Sequence, residues 1–419
     1  MSDLDALCAR IDEELAETDA ALAARYPGDS GTRQPVHTVY VPADRFTADL
    51  PSEWGSQALA LLDEHVPDGA TLGELVGAGP ALGVEVLPLV RAKLANEPVE
   101  DLRIDFEDGY GDRGDDAEDA AVDAAAAAVV ASVAAHSGTP FTGMRFKCLE
   151  APTRRRGLRT VDRFVATLAS RGGLPPGFVL TLPKVSAVEQ VVAMVSVCAQ
   201  LETNHGLPHG ALRFEIQVET PQSILLSDGT AAVARMIAAA GARCSGLHYG
   251  TYDYSASCGI AAEYQSMEHP VADHAKAVMQ VAAAGTGVRL SDGSTNVIPV
   301  GDREQVYAAW RLHARLVRRS LERGYYQGWD LHPAQLPTRY AATFAFYRNG
   351  FESAARRLRA YVAHDDSGFM DEPATARALA WFIARGLQCG AISEAQVCDR
   401  VGMDRSAVES LAQPRQAQS

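Results

Sequence analysis

The sequence lacks the surplus of positive charge that marks proteins binding nucleic acids or anionic membranes. It contains 38 lysine and arginine residues against 53 aspartate and glutamate residues, a formal net charge of −15. This balance argues against nucleic acid or a membrane as the main partner. A small anionic ligand is still compatible with the charge, because a local basic pocket or a metal ion can reverse the field.

Cysteine pairs and long apolar runs are also missing. The seven cysteines are scattered, odd in number and without a CxxC pair, which indicates reduced thiols and neither a disulfide framework nor a zinc site. No run of 18 apolar residues occurs, and residues 1–18 are acidic and amphipathic, unlike a signal peptide. We therefore expect a cytoplasmic protein.

Glycine-rich phosphate loops are the third absence. Neither GxGxxG nor GxxxxGK[ST] occurs, and the sequence has no internal repeat. Hydrophobic residues make up 47% of the 419 residues and charged residues 22%, as in an ordinary globular protein. This length is sufficient for a large core, either in several domains or in one barrel with additions.

Short β-type runs alternate with longer helical patterns through most of the chain. The candidate strands are residues 36–41, 102–106, 142–146, 178–183, 213–218, 245–250, 296–300 and 328–332. Strands that alternate with helices indicate βαβ units and a mainly parallel sheet. Eight such strands favour an α/β fold of the TIM (β/α)8 barrel type.

The segments outside these strands have a helical pattern. We predict an N-terminal helical segment over residues 1–35, a barrel with the active site over residues 36–350, and a helical C-terminal extension over residues 351–419. Part of the extension faintly resembles a helix-turn-helix. Because the chain is acidic, a packing or lid element is the better interpretation.

Charged residues follow nearly every predicted strand. They are Asp44 and Arg45, Asp105, Glu107 and Asp108, Arg145 and Lys147, Lys184, Glu219, Asp253, and Asp330 and His332. In a parallel barrel the carboxyl ends of the strands converge on one face, where active sites lie. The pattern therefore predicts a charged active site.

The second predicted strand runs into a dense acidic cluster. The acidic residues beyond residue 111 precede an alanine-rich helix, and their negative charge interacts favourably with the positive end of its dipole. Asp105 and Glu107 differ, since residues two apart in a strand point to the same side. Inside a barrel they require cationic or metal partners, and Arg145 and Lys184 are the candidates.

Glu219 and Asp253 follow adjacent predicted strands with few other ligands nearby. Two carboxylates of this kind suit Mg²⁺, which completes its octahedron with water and substrate oxygens. This spacing makes Glu219 and Asp253 the candidate metal ligands.

Seven segments in order also resemble a known family. They are VYVPADRF, IDFEDGYGD, MRFK, LPKVSAVEQV, EIQVETPQSIL, LHYGTYDYSAS and GWDLHPAQL, spread over residues 36–345. Together they resemble the citrate lyase β-subunit-like branch of the HpcH/HpaI aldolase superfamily, and in particular a bacterial group within it. This sequence has DFEDG where the family has DLEDA, and RFK lacks the usual asparagine.

The resemblance implies a TIM barrel enzyme, a carbon–carbon lyase or aldolase with Mg²⁺ or another divalent metal. Its substrate would be a 2-oxo acid or an acyl-CoA, cleaved through an enolate. Glu219 and Asp253 resemble the metal ligands, and Arg145 resembles the arginine that binds the substrate carboxylate and enolate oxygen. A catalytic role would also fall to Asp105, Glu107 and Lys184, which resemble the acidic pair near the metal waters and the strand-four lysine. The family habit implies a homo-oligomer.

Several alternatives stay open from the sequence. The segment between predicted strands six and eight is not typical of CoA-dependent lyases, which leaves the use of CoA open. A second alternative on the same barrel is phosphoryl transfer to or from a phosphoenolpyruvate-type ligand, or isomerisation of such a ligand. The arginines of TRRRGLRT, residues 153–160, would then supply contacts to the phosphate. Pairing of these arginines with the acids around residues 112–119 is the competing interpretation. A third alternative is a non-catalytic barrel that binds a metabolite.

Overall fold

Eight parallel strands form a barrel in the computed structural model, which describes residues 3–135, 137–365 and 372–413. The strands are β1 (His37–Pro42), β2 (Asp101–Asp105), β3 (Phe141–Arg145), β4 (Val179–Leu182), β5 (Arg213–Val218), β6 (Cys244–Tyr249), β7 (Arg289–Ser291) and β8 (Gly328–Asp330). Their order around the sheet is β7-β6-β5-β4-β3-β2-β1-β8. A parallel bridge between Ser291 and Gln327 brings the two edge strands together. The predicted (β/α)8 barrel is confirmed.

Helices surround the barrel and extend it at both termini. Along the chain they are α1 (Asp3–Arg25), α2 (Leu50–His65), α3 (Gly69–Leu75), α4 (Pro80–Asn96), α5 (Asp115–Ala134), α6 (Arg154–Ser170), α7 (Val188–His205), α8 (Ala232–Ala240), α9 (Thr251–Ser257), α10 (Pro270–Ala283), α11 (Arg303–Glu322), α12 (Leu336–Ala363), α13 (Pro373–Cys389), α14 (Glu394–Val401) and α15 (Arg405–Ala412). The predicted N-terminal helix is confirmed as α1, which buries none of its residues. Helix α12 runs without a break past residue 350 and contacts α13 and α14 of the helical extension.

No single helix within the described ranges is long and apolar enough to cross a membrane. One bent pair, α3 with α4, meets the criteria of length and composition only when its two helices are taken together.

The prediction of the seventh strand was wrong. Residues 296–300 form no strand, and β7 lies earlier, at Arg289–Ser291. Three residues are too few to produce a visible alternation of apolar and polar side chains. The apolar run at 296–300 contains Pro299, which has no N–H for a sheet ladder, and three of its valine and isoleucine side chains are exposed. The other seven predicted strands overlap observed strands.

The barrel interior holds charged side chains, while the outward-facing residues of β2 are apolar. In β2, Leu102 and Ile104 are buried in the hydrophobic core. Between them, Arg103 reaches across the barrel and donates from Nε and Nη2 to Glu215 of β5, at 2.8 and 2.7 Å. A Cβ at Gly143 would lie 3.0 Å from Cδ of Arg103 and 2.1 Å from the Val179 carbonyl oxygen. Only glycine leaves room there for the arginine.

Asp330, at the end of β8, joins several elements below the carboxyl face. It is fully buried and accepts hydrogen bonds from His37 Nδ1 at 2.7 Å, from His313 Nε2 at 3.0 Å and from Arg339 Nη2 at 2.9 Å. Burial by itself would raise the pKa of Asp330, but the charge of Arg339 and the histidine hydrogen bonds hold this pKa well below its usual value. With this set of partners, Asp330 has a structural role.

A second buried carboxylate provides a test of stability against pH. Glu202 of α7 accepts hydrogen bonds from Nη1 and Nη2 of Arg243 at 2.6 and 2.7 Å, and from the main-chain N–H groups of Leu212 and Gly210 at 2.8 and 3.1 Å. Burial would raise the pKa of Glu202, but these bonds outweigh it and lower the pKa to about 2.

We expect Glu202→Gln to lower the free energy of unfolding by about 3 kcal/mol at pH 7, because Arg243 loses its buried counter-ion. A carboxyl group with a lowered folded-state pKa stabilises the fold above its unfolded pKa of about 4.5, and loses this contribution as the pH falls towards 2. Urea unfolding between pH 7 and pH 3 should therefore show the difference from wild type shrinking as the pH falls. A difference that stays constant with pH would contradict this account of the ion pair.

A candidate active site at the carboxyl ends of the strands

Six predicted site residues lie at the carboxyl ends of five consecutive strands. They are Asp105 and Glu107 after β2, Arg145 at the end of β3, Lys184 after β4, Glu219 after β5 and Asp253 after β6, in the first turn of α9. The first five are connected by direct hydrogen bonds or ion pairs. Asp253 is exposed and acts on the pKa of Glu219 through its charge.

Arg145 and Asp105 form a buried fork. Nε and Nη2 of Arg145 donate to Oδ1 and Oδ2 of Asp105 at 2.7 and 2.6 Å. Asp105 also accepts main-chain N–H bonds from Glu107 at 2.9 Å and Gly109 at 2.8 Å, so each of its oxygens has two donors. The carboxylate of Asp105, with all four donors in place, therefore fixes Arg145 and the loop after β2.

The remaining nitrogen of Arg145 points towards other polar groups. Nη1 lies 3.4 Å from Oε1 of Gln217 and 3.4 Å from Oε2 of Glu107. The guanidinium also lies over the ring of Tyr40, 4.8 Å from its centroid. Nη1 is thus the part of Arg145 with the longest contacts and the most freedom to meet a ligand.

Lys184 connects three carboxylates, two by its side chain and one by its main chain. Its Nζ forms a short ion pair with Glu107 and donates to the two carboxylate oxygens of Asp108 at 2.8 and 2.7 Å. Its main-chain N–H donates to Oε1 of Glu219 at 2.6 Å. The φ angle of Lys184 is +51°, a left-handed conformation that side-chain-bearing residues rarely adopt. Strained backbone of this kind concentrates at functional sites.

Glu219 is fully buried, between Lys184 and β6. Oε2 accepts a 2.6 Å hydrogen bond from Nε2 of Gln217. A Cβ at Gly250 would lie 2.6 Å from Cβ of Glu219, so the glycine allows β6 to pass close to this side chain. The main-chain N–H of Lys184 and the amide of Gln217 hold Glu219, and no cationic side chain in the part of the chain that the structure describes is in direct contact with it.

Burial dominates the electrostatics of the two glutamates. It raises the pKa of Glu219 to about 8, because the charges of Arg145 and Lys184 compensate only part of the lost hydration and Asp253 adds repulsion. Burial likewise raises the pKa of Glu107 to about 7, although the charge of Arg145 opposes the rise. Glu107 is buried and its neighbour Asp108 is exposed. Because burial disfavours the charged form, Glu107 is the member of this pair that takes up a proton first.

The donor set fits a hard divalent cation. The site brings together five carboxyl groups and only two cationic side chains, and all the charged ligand atoms are oxygens. They are Asp105, Glu107, Asp108, Glu219 and Asp253, with Arg145 and Lys184 as the cations. Across the described ranges, no group of three or more His, Cys, Asp or Glu side chains is arranged to hold a metal ion. Mg²⁺ is compatible with such a site because it needs only one or two carboxylates, and water or substrate supplies the remaining oxygens.

Three neighbouring residues escaped the sequence interpretation. Gln217 shares the inward side of β5 with Glu219, and the two-residue spacing could have identified it. Tyr40 lies below Arg145, but an aromatic residue in a strand is ordinary core. Gly109 contacts Asp105 closely, since a Cβ there would lie 2.6 Å from Oδ2 of Asp105; a single glycine after a strand is not a specific signal.

Two arginines of TRRRGLRT, Arg156 and Arg159, pair with acidic residues of α5. Arg156 pairs with Asp119 at 2.7 Å and with Glu118 at 3.2 Å, and Arg159 and Arg163 also pair with acids of α5. The acids at the start of α5 therefore interact with α6 as well as with the N-terminus of their own helix. This arrangement agrees with the interpretation of 153–160 as a partner of the acidic surface.

The fold and the site together define a (β/α)8 barrel with an acid-rich cluster of side chains at the carboxyl ends of its strands. The chain belongs to the DUF6986 family, described as a domain of unknown function, whose model matches residues 15–416. A search of curated proteins found no match to this chain.

Solved structures share the fold at low sequence identity. A citrate lyase from Burkholderia xenovorans LB400 is 18% identical with a TM-score of 0.58, and the match covers 89% of this chain and 97% of that chain. Malate synthase from Haloferax volcanii, in a lead(II) complex, is 15% identical with a TM-score of 0.50, and the match covers 74% of this chain and 72% of that chain. The fold that the family resemblance implied is therefore present.

Proposed function

We propose that the protein is a Mg²⁺-dependent carbon–carbon lyase of the aldolase or citrate lyase type, acting on a 2-oxo acid or an acyl-CoA-type substrate. The observation that carries the proposal is the placement of a buried arginine beside a cluster of carboxylates with too few cations, at the catalytic face of a (β/α)8 barrel. The names of the two fold neighbours, citrate lyase and malate synthase, agree with this class of reaction.

Glu219 and Asp253 would hold the metal ion. When bound, the ion would supply Lewis-acid stabilisation of the negative charge that develops on a substrate oxygen. Burial raises the pKa of Glu219, and no cationic side chain of the described residues contacts this carboxylate directly. A nearby divalent cation would offset the effect of burial by favouring the ionised carboxylate.

Arg145 would orient the substrate. Its fork with Asp105 fixes the guanidinium plane, and Tyr40 supports the plane from below. Nη1 then presents a positive donor in a direction that is set before the substrate arrives. A preorganised donor of this kind stabilises an oxyanion without reorganisation during the reaction.

Glu107 is the candidate proton acceptor of the site. A carboxyl group with a pKa near 7 can both take and return a proton at neutral pH. Lys184 and Arg145 flank this carboxyl and would stabilise its ionised form. Asp105, with four donors, would serve to position Arg145.

A ligand screen by thermal shift tests the proposal. Pyruvate, oxaloacetate, glyoxylate and acetyl-CoA would each be added with and without Mg²⁺, and phosphoenolpyruvate would be included as a comparison. We expect at least one 2-oxo acid to raise the Tm only in the presence of Mg²⁺, because ligand binding to the folded state stabilises it. Stabilisation by phosphoenolpyruvate alone would favour the phosphoryl-transfer alternative. Absence of any metal effect would favour a metabolite-binding barrel without catalysis.

Four statements about this protein stay predictions: its division into three segments, its homo-oligomeric state, its cytoplasmic location and its use of CoA. The homo-oligomer has a direct test in the molar mass measured by light scattering.

A further inference from the structure

A second charged cavity lies at the opposite end of the barrel from the candidate active site. Its volume is about 220 Å³, and it is lined by Arg289, Arg385, Tyr326 and Asp29 among others. Arg289 is the first residue of β7, so the cavity opens at the amino ends of the strands. A water molecule occupies about 30 Å³ in the liquid, and the cavity therefore has room for a small organic or inorganic anion.

Arg289 has donors to spare in this cavity. Its Nη2 donates to the carbonyl oxygen of Thr32 at 3.0 Å and to the Thr32 hydroxyl at 2.6 Å. Nε and Nη1 form no hydrogen bond with any residue in the ranges 3–135, 137–365 and 372–413. A guanidinium that lacks a carboxylate partner on one edge is available to bind an anion.

Arg385 of α13 is held by aromatic rings more than by hydrogen bonds. Its guanidinium lies 4.2 Å from the ring centroid of Tyr326 and 4.8 Å from that of Trp381. Its one hydrogen bond to a described residue is a long one, 3.4 Å from Nη2 to Asp29. Stacking fixes the plane of the guanidinium and leaves donors free for a ligand.

The charge around Arg289 differs from that around the buried Arg103. Desolvation lowers the pKa of Arg289; Asp29 and Asp101 oppose this effect, and the nearby cations Arg213 and Arg385 add to it. By contrast, Arg103 has a raised pKa because Asp101 and Glu215 overcome its burial. The charged residues that line the cavity are two arginines, Arg289 and Arg385, and one carboxylate, Asp29, so its local charge is positive in a chain whose net charge is −15.

We infer that this cavity is a binding site for a small anion bearing a carboxylate or phosphate group, with Arg289 and Arg385 as its recognition residues. Two guanidinium groups with fixed planes match the paired oxygens of such a group. The site is separate from the candidate active site and does not depend on the function proposed there.

Binding of inorganic phosphate by calorimetry tests the inference, at constant ionic strength with chloride as the replacement salt. We expect wild type to bind phosphate saturably and Arg289→Gln to weaken the affinity by about tenfold or more. Arg400→Gln is the matched control, because Arg400 is an exposed arginine of α14 and its loss changes the net charge equally. Arg145→Lys should leave phosphate binding at the wild-type affinity if the phosphate occupies this cavity.

The inference is overturned if wild type shows no saturable phosphate binding, if Arg289→Gln binds as wild type does, or if the Arg145→Lys protein loses the binding. Should Arg289→Gln fail to fold, Arg385→Gln provides the same comparison, since its side chain lies on a helix outside the barrel. Added citrate then tests whether the cavity accepts carboxylate groups as well as phosphate. If it accepts both, citrate competes with phosphate for the site; if it accepts phosphate alone, citrate does not compete.

Discussion

Glu219→Gln is expected to abolish Mg²⁺ binding and to lower turnover by on the order of 10³-fold, once a substrate is known. The substitution removes one of two carboxylate ligands from a site that has few others. The amide oxygen can still accept the hydrogen bond from the Lys184 N–H, but the NH2 group faces the donating Nε2 of Gln217. A neutral amide has no charge to desolvate at this fully buried position, which opposes the loss of the Gln217 hydrogen bond, so we expect the Tm to change little.

Calorimetric titration with Mg²⁺ measures this effect directly. Asp253→Asn should show the same loss, and its exposed position in α9 makes a folding defect less of a concern. Glu263→Gln is the control, because Glu263 is an exposed acid after the same strand. If Glu219→Gln and Asp253→Asn both bind Mg²⁺ with wild-type affinity, the metal site proposed here is wrong.

Arg145→Lys is expected to lower turnover by on the order of 10²-fold or more and to remove most of the binding of 2-oxo acids. An ammonium group cannot form the fork with Asp105 and also present a donor where Nη1 lies. The ammonium group of the introduced lysine will pair with Asp105, the nearest carboxylate. The lost buried hydrogen bonds should also lower the free energy of unfolding by about 1–3 kcal/mol.

Arg113→Lys is the matched control for this variant. Arg113 also pairs with an aspartate, Asp44 at 2.7 Å, and lies over the ring of Tyr110 at 4.5 Å, but it is on the exposed surface. Turnover and 2-oxo acid affinity would be measured for both variants under conditions where each is folded. An Arg145→Lys protein that melts lower yet binds and turns over substrate as wild type does would assign Arg145 to structure alone.

The sequence was sufficient to identify which residues converge. Strands and helices alternate, and in a parallel barrel every strand delivers its carboxyl end to the same face. Charged residues placed after consecutive strands must therefore lie close together, whatever the details of packing. This is why Asp105, Arg145, Lys184 and Glu219 could be named as neighbours before their contacts were known.

The division of roles among these charges was decided by the tertiary structure. Asp330 and Glu219 both lie at strand ends and look alike in sequence. Asp330 has two histidines and an arginine as partners, whereas Glu219 has a main-chain N–H and an amide. Whether the negative charge of a buried carboxylate is compensated by cationic partners depends on contacts across strands and from distant helices. A local sequence pattern does not contain these contacts.

Short or nonlocal features could likewise not be predicted from the sequence. Strand β7 has three residues, too few for a period to appear, and its place is set by pairing with Gly246 to His248 of β6. Lys184 has a left-handed backbone and contacts Glu107 with its side chain and Glu219 with its main chain, and a local sequence pattern indicates neither feature. Arg289 and Arg385 are 96 positions apart in the sequence, and only the tertiary packing of α13, which contacts α12 and α15, brings them to one cavity. Sequence determined the fold class and the face of the site, because both follow from local periodicity; tertiary contacts decided which charges are left to bind a ligand.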